Sequence, residues 1–126
     1  MLGLHSSKVQ LITEFEEFAP ERVKGCCVPV APLLVEQQAE DLAVVFRALG
    51  DPTRVQMLHL LKEATEPICV CDFTAAFDLG QPTVSHHLAK LKEAGLVTNL
   101  KRGVWSFYML RQDLPDVTRA ILSIIP

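Results

Sequence analysis

The most constraining feature of the sequence is a pair of short helical patterns separated by a tight turn. The first pattern runs from about Cys69 to Phe77, Asp78-Leu79-Gly80 has turn composition, and a second helical pattern runs from Gln81 to Ala94. Two short helices joined by a glycine-containing turn are typical of a helix-turn-helix. The inward positions of the second helix, at helical spacing, are Val84, Leu88 and Leu91.

After a stop signal at Gly95, the period of the apolar residues changes. From Leu96 to Leu110, apolar residues flank the basic sequence Lys101-Arg102-Gly103, and this pattern predicts a β-hairpin with a basic tip. A helix-turn-helix followed by such a hairpin is a winged helix-turn-helix, which is a DNA-binding arrangement. The predicted fold is therefore mainly α-helical with one small β-hairpin.

Four other segments have helical patterns. They are residues 8–19, residues 36–49 closed by Gly50, residues 52–63 with Asp51 as the N-cap, and a last helix from about Asp113 to Ile125. In the predicted helix over residues 36–49, one apolar face comprises Leu42, Val45, Phe46 and Leu49. Because the last helix is strongly apolar, we expect it to dock on another surface, most simply that of a second subunit.

The composition is that of one ordinary folded domain. The chain has 126 residues, of which 49% are apolar and 21% charged. We assign residues 1–35 to an N-terminal helix and an irregular tether that carries cysteines, and residues 36–126 to DNA binding and dimerisation. Without a signal peptide or an apolar run of about 20 residues, the expected location is the cytoplasm, with no membrane partner.

The net charge of −3 is unevenly distributed. Between Gln81 and Arg111, five basic side chains stand against Glu93 alone, so this module carries +4 and the rest of the chain −7. A basic module in a mildly acidic protein is compatible with nucleic-acid binding. The outward residues expected to contact phosphates or base edges of double-stranded DNA are Gln81, Thr83, Ser85, His86, His87, Lys90, Lys101 and Arg102.

The four cysteines form two tight pairs, Cys26-Cys27 and Cys69-Val70-Cys71. Thiolates are the ligands that soft ions prefer, and a helix N-terminus lowers a thiol pKa by favouring the anion. Residues at i and i+2 do not share a face of a regular helix. We therefore expect one thiol of the second pair, Cys69, to be the dominant ligand, unless an irregular first turn brings both sulfurs together.

Specific strings of residues resemble the ArsR/SmtB family of metal-responsive repressors. They are Asp51-Pro52-Thr53-Arg54, the string from Gln81 to Leu88 with Leu91, and Ala94-Gly95-Leu96-Val97; Gly80 stands where the family often has serine. The resemblance covers about residue 36 to the C-terminus. The resemblance implies that the chain is a homodimeric winged helix-turn-helix repressor that leaves operator DNA when metal binds. It also implies that Ser85 and His86 lie on the recognition helix and face DNA.

The resemblance also implies a sensing site. The string Cys69-Val70-Cys71-Asp72 is similar to that of the family's arsenic and cadmium/lead sensors, and some arsenic sensors add an adjacent N-terminal Cys-Cys pair. Trivalent arsenic or antimony takes three thiolates, which Cys26, Cys27 and one further cysteine would supply. Cd(II) or Pb(II) would use all four. The C-terminal site of the family's zinc and nickel sensors is not expected, because the last helix has no histidine.

Other readings of the cysteines belong to different classes. The thiols of a redox-switched repressor would oxidise or couple, and a lone cysteine is commonly a small buried hydrophobic residue. An enzyme such as a thiol or arsenate reductase would need a nucleophile loop and an anion cradle. The sequence contains no Cys-x-x-Cys and no glycine-rich phosphate loop. A metal-buffering protein would not require the basic module, so the predicted function is a repressor and not an enzyme.

Overall fold

A computed structural model describes residues 21–25 and 27–126. The chain divides into two compact units, Met1–Leu33 and Leu34–Pro126. The helix predicted over residues 8–19 and the side chain of Cys26 lie outside the described residues. In the described part of the first unit, Lys24 and Gly25 form a turn, Gly25 has φ +87°, and the side chains are exposed.

Five helices form the frame of the second unit. They are α1 (Glu36–Leu49), α2 (Pro52–Glu63), α3 (Val70–Phe77), α4 (Gln81–Glu93) and α5 (Asp116–Leu122). The predicted bounds of the first two are confirmed. No helix in the described part of the chain is long and apolar enough to cross a membrane.

The last helix is shorter than predicted. The sequence pattern predicted a helix from Asp113 to Ile125, whereas α5 begins after Pro115 and ends at Leu122. A proline disfavours helical geometry in the residue before it, so a helix cannot readily run through Leu114 into Pro115. Beyond the helix, Ile125 folds back into the core while Ile124 is 77% exposed.

Three short strands form an antiparallel sheet in the order β1-β3-β2: β1 (Ile68–Cys69), β2 (Val97–Arg102) and β3 (Trp105–Leu110). The predicted hairpin is confirmed as β2 and β3, and its two-residue loop is Gly103-Val104, with Gly103 at φ +60°. Strand β1 was not predicted. It pairs with β3 and places Cys69 opposite Phe107.

The core lies where α2, α3 and α4 meet the sheet, with α1 and the end of the chain packed around it. Phe73, Met57 and Leu58 are fully buried at its centre. Phe46, predicted to face the core, is instead 54% exposed because α1 turns Val45 and Ala48 inward. The core residues are Val45, Ala48, Met57, Leu58, Leu61, Val70, Phe73, Val84, Leu88, Leu91, Leu96, Val97, Leu122 and Ile125.

The stop predicted after α4 is confirmed as a glycine-dependent cap. Gly95 has φ +76°, its N–H donates to the carbonyl of Lys92 at 2.9 Å, and the N–H of Leu96 donates to the carbonyl of Leu91 at 3.1 Å. This pair of bonds is a Schellman motif, which satisfies carbonyls that the helix end leaves free. It also turns the chain directly into β2.

The junction between α1 and α2 is held by a carboxylate and a guanidinium. Asp51 is the N-cap of α2, and its Oδ1 accepts hydrogen bonds from the backbone N–H groups of Thr53 at 2.8 Å and Arg54 at 3.2 Å. The Nε of Arg54 donates to the carbonyl of Ala48 at 2.6 Å, and its Nη2 donates to the carbonyl of Arg47 at 3.3 Å. Arg54 thus satisfies the last carbonyls of α1 from the first turn of α2.

The same guanidinium reaches α4. Its Nη1 lies 3.2 Å from Nδ1 of His87, which is also 4.0 Å from Oδ1 of Asp51. The His87 side chain is only 14% exposed. Asp51, Arg54 and His87, which we call the junction triad, therefore tie α4 to the α1–α2 junction.

The junction triad also perturbs the carboxyl group of Asp51. Partial desolvation raises the pKa of Asp51, but hydrogen bonds from the backbone of Arg54 and Thr53, together with the electrostatic influence of His87 and Arg54, lower that pKa below its ordinary value. The ionised carboxylate is therefore the form that the fold stabilises.

Truncation of the core is expected to destabilise the fold. Leu58→Ala removes a fully buried side chain, and we expect it to lower the free energy of unfolding by about 2–5 kcal/mol, because the cavity adds to the lost transfer energy. Urea unfolding at fixed protein concentration measures this. Gln56→Ala, an exposed position on the same helix, should change it by no more than about 0.5 kcal/mol; equal effects of the two substitutions would contradict this core assignment.

Asp51→Asn should reveal the charge of the junction triad through pH. Asparagine keeps an N-cap oxygen but carries no charge. Because the folded-state pKa of Asp51 is lowered, the stability due to its charge is fully present above the unfolded pKa of about 3.9 and is lost as pH falls through the folded pKa. At neutral pH, urea unfolding should give the wild type a higher free energy of unfolding than the variant. This difference should disappear in acid. A difference in the free energy of unfolding that does not depend on pH would contradict a role for the Asp51 charge. The control is Gln56→Ala, which changes no charge.

Candidate nucleic-acid interface and thiol site

The turn between α3 and α4 has the geometry of a helix-turn-helix. Asp78 ends α3 in the left-handed region at φ +52°, and its N–H donates to the carbonyl of Thr74. Aspartate tolerates this conformation better than most residues because its short polar side chain bonds locally. Gly80 is the N-cap of α4. The chain therefore reverses within the predicted segment Asp78-Leu79-Gly80.

One face of helix α4 is buried in the core, and the other, which we call its open face, is exposed to solvent. Its three predicted inward residues are all 0% exposed. Ser85 is half-buried, and His87 is largely covered within the junction triad. The predicted DNA-contacting residues of α4 that are exposed are Gln81, Thr83, His86 and Lys90.

The basic end of the hairpin is also exposed to solvent. Lys101 and Arg102 are the last two residues of β2, both are exposed, and they stand opposite Ser106 and Trp105. The hairpin is linked to α4 by a hydrogen bond in which Nζ of Lys92 donates to Oδ1 of Asn99 at 2.7 Å. Amide, hydroxyl and imidazole groups on the helix and cations on the hairpin can together bind base edges and phosphates.

Cys69 and Cys71 lie in direct contact. The Sγ of Cys71 donates to the Sγ of Cys69 at a distance of 2.9 Å. Cys69 is the N-cap of α3 with extended backbone (φ −72°, ψ 147°), and Cys71 is in the first turn. The alternative left open above, an irregular first turn that brings both sulfurs together, is the one found, because Cys69 precedes the helix and belongs to β1.

Asp72 completes the start of α3. Its Oδ2 accepts a hydrogen bond from the backbone N–H of Cys69 at 3.3 Å, and its Oδ1 lies 3.9 Å from the Sγ of Cys71. The hydrogen bond to Cys69, desolvation, and the charges of Cys69 and Asp72 raise the pKa of Cys71, and the backbone N–H of Asp72 lowers it by less. The lowered pKa expected for a thiol at a helix N-terminus is thus not found for Cys71, because the hydrogen bond to Cys69 and desolvation raise this pKa by more than the backbone N–H of Asp72 lowers it.

A small cavity adjoins the two thiols. Its volume is about 260 Å³. Besides Cys69 and Cys71, its walls include Gln81 from the start of α4 and Trp105 from the hairpin. The cavity therefore brings the predicted ligands together with α4 and the hairpin, the two elements predicted to contact DNA (the DNA-reading elements below). The remaining lining residues are Val70, Thr74, Val104 and Ser106.

The other cysteine pair belongs to the first unit. Cys27 is exposed and carries a free thiol, and Cys26 lies outside the described residues. Within residues 21–25 and 27–126, no cluster of three or more Cys, His, Asp or Glu side chains is arranged to hold a metal ion. The four-cysteine ligand set stays a prediction.

The acidic residues near α5 are engaged in ion pairs. Asp113 and Arg111 form two hydrogen bonds of 2.9 and 2.7 Å, so the hydrogen bonds and charge of Arg111 lower the pKa of Asp113. Asp116 lies 3.9 Å from the guanidinium of Arg119. Each of these two carboxylates therefore forms an ion pair with a neighbouring arginine.

The roles of two residues that shape the site were not predicted from the sequence. Trp105 lines the thiol cavity although it lies in the hairpin, and only the pairing of β1 with β3 brings it there. Arg54 supports α4 from another helix. The Asp51-Pro52 capping pattern and the family-like string that ends at Arg54 predict the helix start but not the contact of Arg54 with His87.

Comparisons with known proteins agree with this geometry. The sequence profile of "Bacterial regulatory protein, arsR family" matches residues 51–99. Over 80 residues the chain is 40% identical to the arsenic resistance transcriptional regulator ArsR1 of Pseudomonas putida, covering 64% of this chain and 62% of that protein. It is 44% identical over 79 residues to the arsenical resistance operon repressor of Escherichia coli, covering 63% of this chain and 67% of that one.

The name of a third relative refers to cadmium instead of arsenic. The cadmium resistance transcriptional regulatory protein CadC homolog of Staphylococcus aureus is 39% identical over 80 residues, which cover 64% of this chain and 65% of that protein. The chain thus spans about two thirds or slightly less of the length of these three relatives.

Solved structures show the same fold. HlyU from Vibrio cholerae matches with a TM-score of 0.60 at 26% identity, covering 71% of this chain and 92% of that chain. The homodimeric winged helix-turn-helix DNA-binding domain Mb0332 from Mycobacterium bovis matches with a TM-score of 0.60 at 26% identity, covering 76% and 86%. The predicted fold and family are confirmed, as is the prediction of a regulator and not an enzyme: the chain belongs to the ArsR family of bacterial regulatory proteins.

Proposed function

We propose that this protein is a homodimeric transcriptional repressor that binds operator DNA and is released from it when trivalent arsenic or antimony binds to cysteine thiolates. The observation that carries the proposal is the contact between Cys69 and Cys71 at the start of a helix-turn-helix. The names of the arsenical-resistance relatives support the choice of ion. The protein would act in the cytoplasm, where operator DNA is present and thiols stay reduced.

DNA binding is assigned to the open face of α4 and the basic end of the hairpin. Gln81, Thr83, Ser85 and His86 would approach base edges in the major groove, as the recognition helix of such a fold does. Lys90 would contact phosphates beside them, and Lys101 and Arg102 would contact backbone or minor groove. His87 would act mainly through the junction triad, because little of its side chain is exposed.

Dimerisation is supported by an apolar groove between α1 and the segment around α5. The groove has a volume of about 670 Å³ and includes Leu42, Val44 and Val117 in its walls. Val44 and Val117 are 37% and 55% exposed. A second copy covering this groove would bury them and place two recognition helices about one helical turn of DNA apart, roughly 34–36 Å.

Three thiolates are the ligand set proposed for the inorganic ion. Cys26 and Cys27 would join Cys69 or Cys71, with Cys69 as the favoured ligand of that pair. A coupling of about 1–3 kcal/mol between ion and operator would lower DNA affinity about 5–150-fold. The bound ion would act through α3 and the sheet, since Cys69 belongs to β1 and is the N-cap of α3.

A second candidate is favoured by the CadC homolog among the relatives. In that case Cd(II) or Pb(II) would use all four thiolates, which suits four-coordinate soft sites. A thiol-redox switch is a third candidate, because Cys69 and Cys71 are already in contact. Fluorescence anisotropy of a labelled promoter duplex distinguishes them: release by arsenite supports the first, release by cadmium alone the second, and release by peroxide without metal the third.

Cys27→Ser is expected to separate sensing from DNA binding. The variant should bind the promoter duplex as wild type does, because Cys27 belongs to the first unit and not to the DNA-reading elements. It should no longer be released by arsenite, since one of three thiolates is lost. Val28→Ser, at the adjacent exposed position, is the matched control. Normal arsenite release by Cys27→Ser would exclude this thiol as a required ligand.

Removal of either cation from the hairpin should weaken DNA binding without changing sequence preference. Lys101→Ala and Arg102→Ala should each reduce the slope of log affinity against log salt by about 1, because each would release a counterion on binding. Anisotropy titrations at several salt concentrations measure the slope. Arg119→Ala removes an exposed cation from α5 and should leave it unchanged. An unchanged slope in both hairpin variants would refute the proposed contact.

A further inference from the structure

We propose that Arg54 and His87 are positioning residues for operator recognition, and that their contact sets the orientation of α4 relative to the helix that faces the second subunit. The inference rests on the proposed function, in that the chain binds an operator as a homodimer. It goes further by assigning the spacing between the two recognition helices of the dimer to one contact inside each subunit.

One side of the Arg54 guanidinium holds the end of α1. Its Nε donates to the carbonyl of Ala48 at 2.6 Å, and its Nη2 donates to the carbonyl of Arg47 at 3.3 Å. Helix α1 also contributes Leu42 and Val44 to the apolar groove proposed to face the second copy. Arg54 is therefore attached to the helix whose position relative to the twofold axis dimerisation would fix.

The other side of the guanidinium holds α4. Its Nη1 lies 3.2 Å from Nδ1 of His87. Because a guanidinium carries only donors, Nδ1 must be the unprotonated acceptor, and the proton of the neutral imidazole lies on Nε2. Oδ1 of Asp51 is 4.0 Å from the same nitrogen and already accepts two backbone N–H groups. Arg54 is therefore the hydrogen-bond partner of Nδ1.

His87 lies among the residues of α4 that are predicted to contact DNA. Ser85 and His86 precede it, and Lys90 follows within one turn. These residues share one helix of 13 residues, so a tilt of α4 moves all of them. A tilt of about 5° over its length of roughly 20 Å displaces one end by nearly 2 Å, which is enough to break a hydrogen bond to a base edge.

A twofold dimer repeats this displacement in both subunits, so a tilt of α4 changes the distance between the two recognition helices. A rotation of the whole dimer can restore the fit of one helix to its half-site. It cannot restore both at once, because the half-sites are fixed about one helical turn apart. Loss of the Arg54–His87 contact should therefore reduce the gain from the second half-site more than the affinity for a single half-site.

The test compares two labelled duplexes of equal length by fluorescence anisotropy with the full-length chain. One carries the whole operator, and in the other one half-site is scrambled. The measured quantity is the ratio of the two affinities. His87→Leu removes the acceptor and Arg54→Met removes the donor. Each should lower this ratio by about tenfold or more, the scale of a hydrogen bond to a charged group.

The matched control is Arg47→Met, which removes a 67% exposed cation from the same junction and should leave the ratio unchanged. If His87 bound a phosphate directly, His87→Leu would weaken binding to both duplexes equally, because both keep the same phosphates. An unchanged ratio in His87→Leu would therefore overturn the inference.

His87→Asn tests whether the accepted hydrogen bond is what matters. The Oδ1 of asparagine is bonded to Cγ, as Nδ1 is in histidine, so it can accept from Arg54. Asparagine should restore most of the ratio that leucine loses. Adding His87→Leu to Arg54→Met should cause little further loss, because the contact is already absent. Failure of asparagine to rescue, or fully additive losses, would show that the two residues act separately and would overturn the inference.

NMR of the DNA-free protein tests the contact itself. With ¹⁵N-labelled histidine, correlations from the ring protons distinguish a protonated from an unprotonated nitrogen. The signals of His87, one of four histidines, are identified by their loss in His87→Asn. We expect Nδ1 to be unprotonated at neutral pH, and a proton on Nδ1 would overturn the inference.

The same experiments separate this inference from the proposed function. If the wild type fails to bind the operator duplex, the proposed function is refuted and the inference with it. If the wild type binds and the ratio is unchanged in His87→Leu, the inference alone is refuted.

Discussion

Burial of one face of α4 is the constraint on which the DNA-reading surface depends. Val84, Leu88 and Leu91 are completely buried, so the helix has one rotational setting on the core. Any other setting would expose these side chains and bury polar ones without partners, at a cost of roughly 1–3 kcal/mol for each polar group. The exposed row that begins at Gln81 is therefore a consequence of core packing, and no contact with DNA is needed to orient it.

The junction triad fixes the same helix at a second point. Arg54 satisfies carbonyls at the end of α1, belongs to α2, and contacts His87 of α4. One guanidinium therefore aligns three helices, because its several donors point in fixed directions. This gives a physical role to the Asp51-Pro52-Thr53-Arg54 string: it caps one helix, ends another and supports the recognition helix.

Periodicity located the helices because each buries apolar residues at helical spacing, and glycine and proline signals located the turn, the hairpin and the end of α4. Strand β1 has only two residues and exists through pairing with β3, so it has no periodic signal of its own. For the same reason the sequence could predict the chemistry of Cys69 and Cys71 but not their contact. The assignment of Phe46 to the core face was wrong because α1 has apolar residues on more than one side.

The pairing of β1 with β3 places Cys69 and the hairpin in one sheet. Cys69 stands opposite Phe107, two residues from Trp105, and the basic end of β2 lies across from that tryptophan. A ligand shifts DNA affinity only if it binds one conformation of the protein more tightly than another. The thiol cavity shares walls with α4 and the hairpin, so a ligand bound there would contact side chains of both elements. If the proposed ion releases the operator, reciprocity requires that bound DNA weaken the affinity of the thiols for that ion by the same factor.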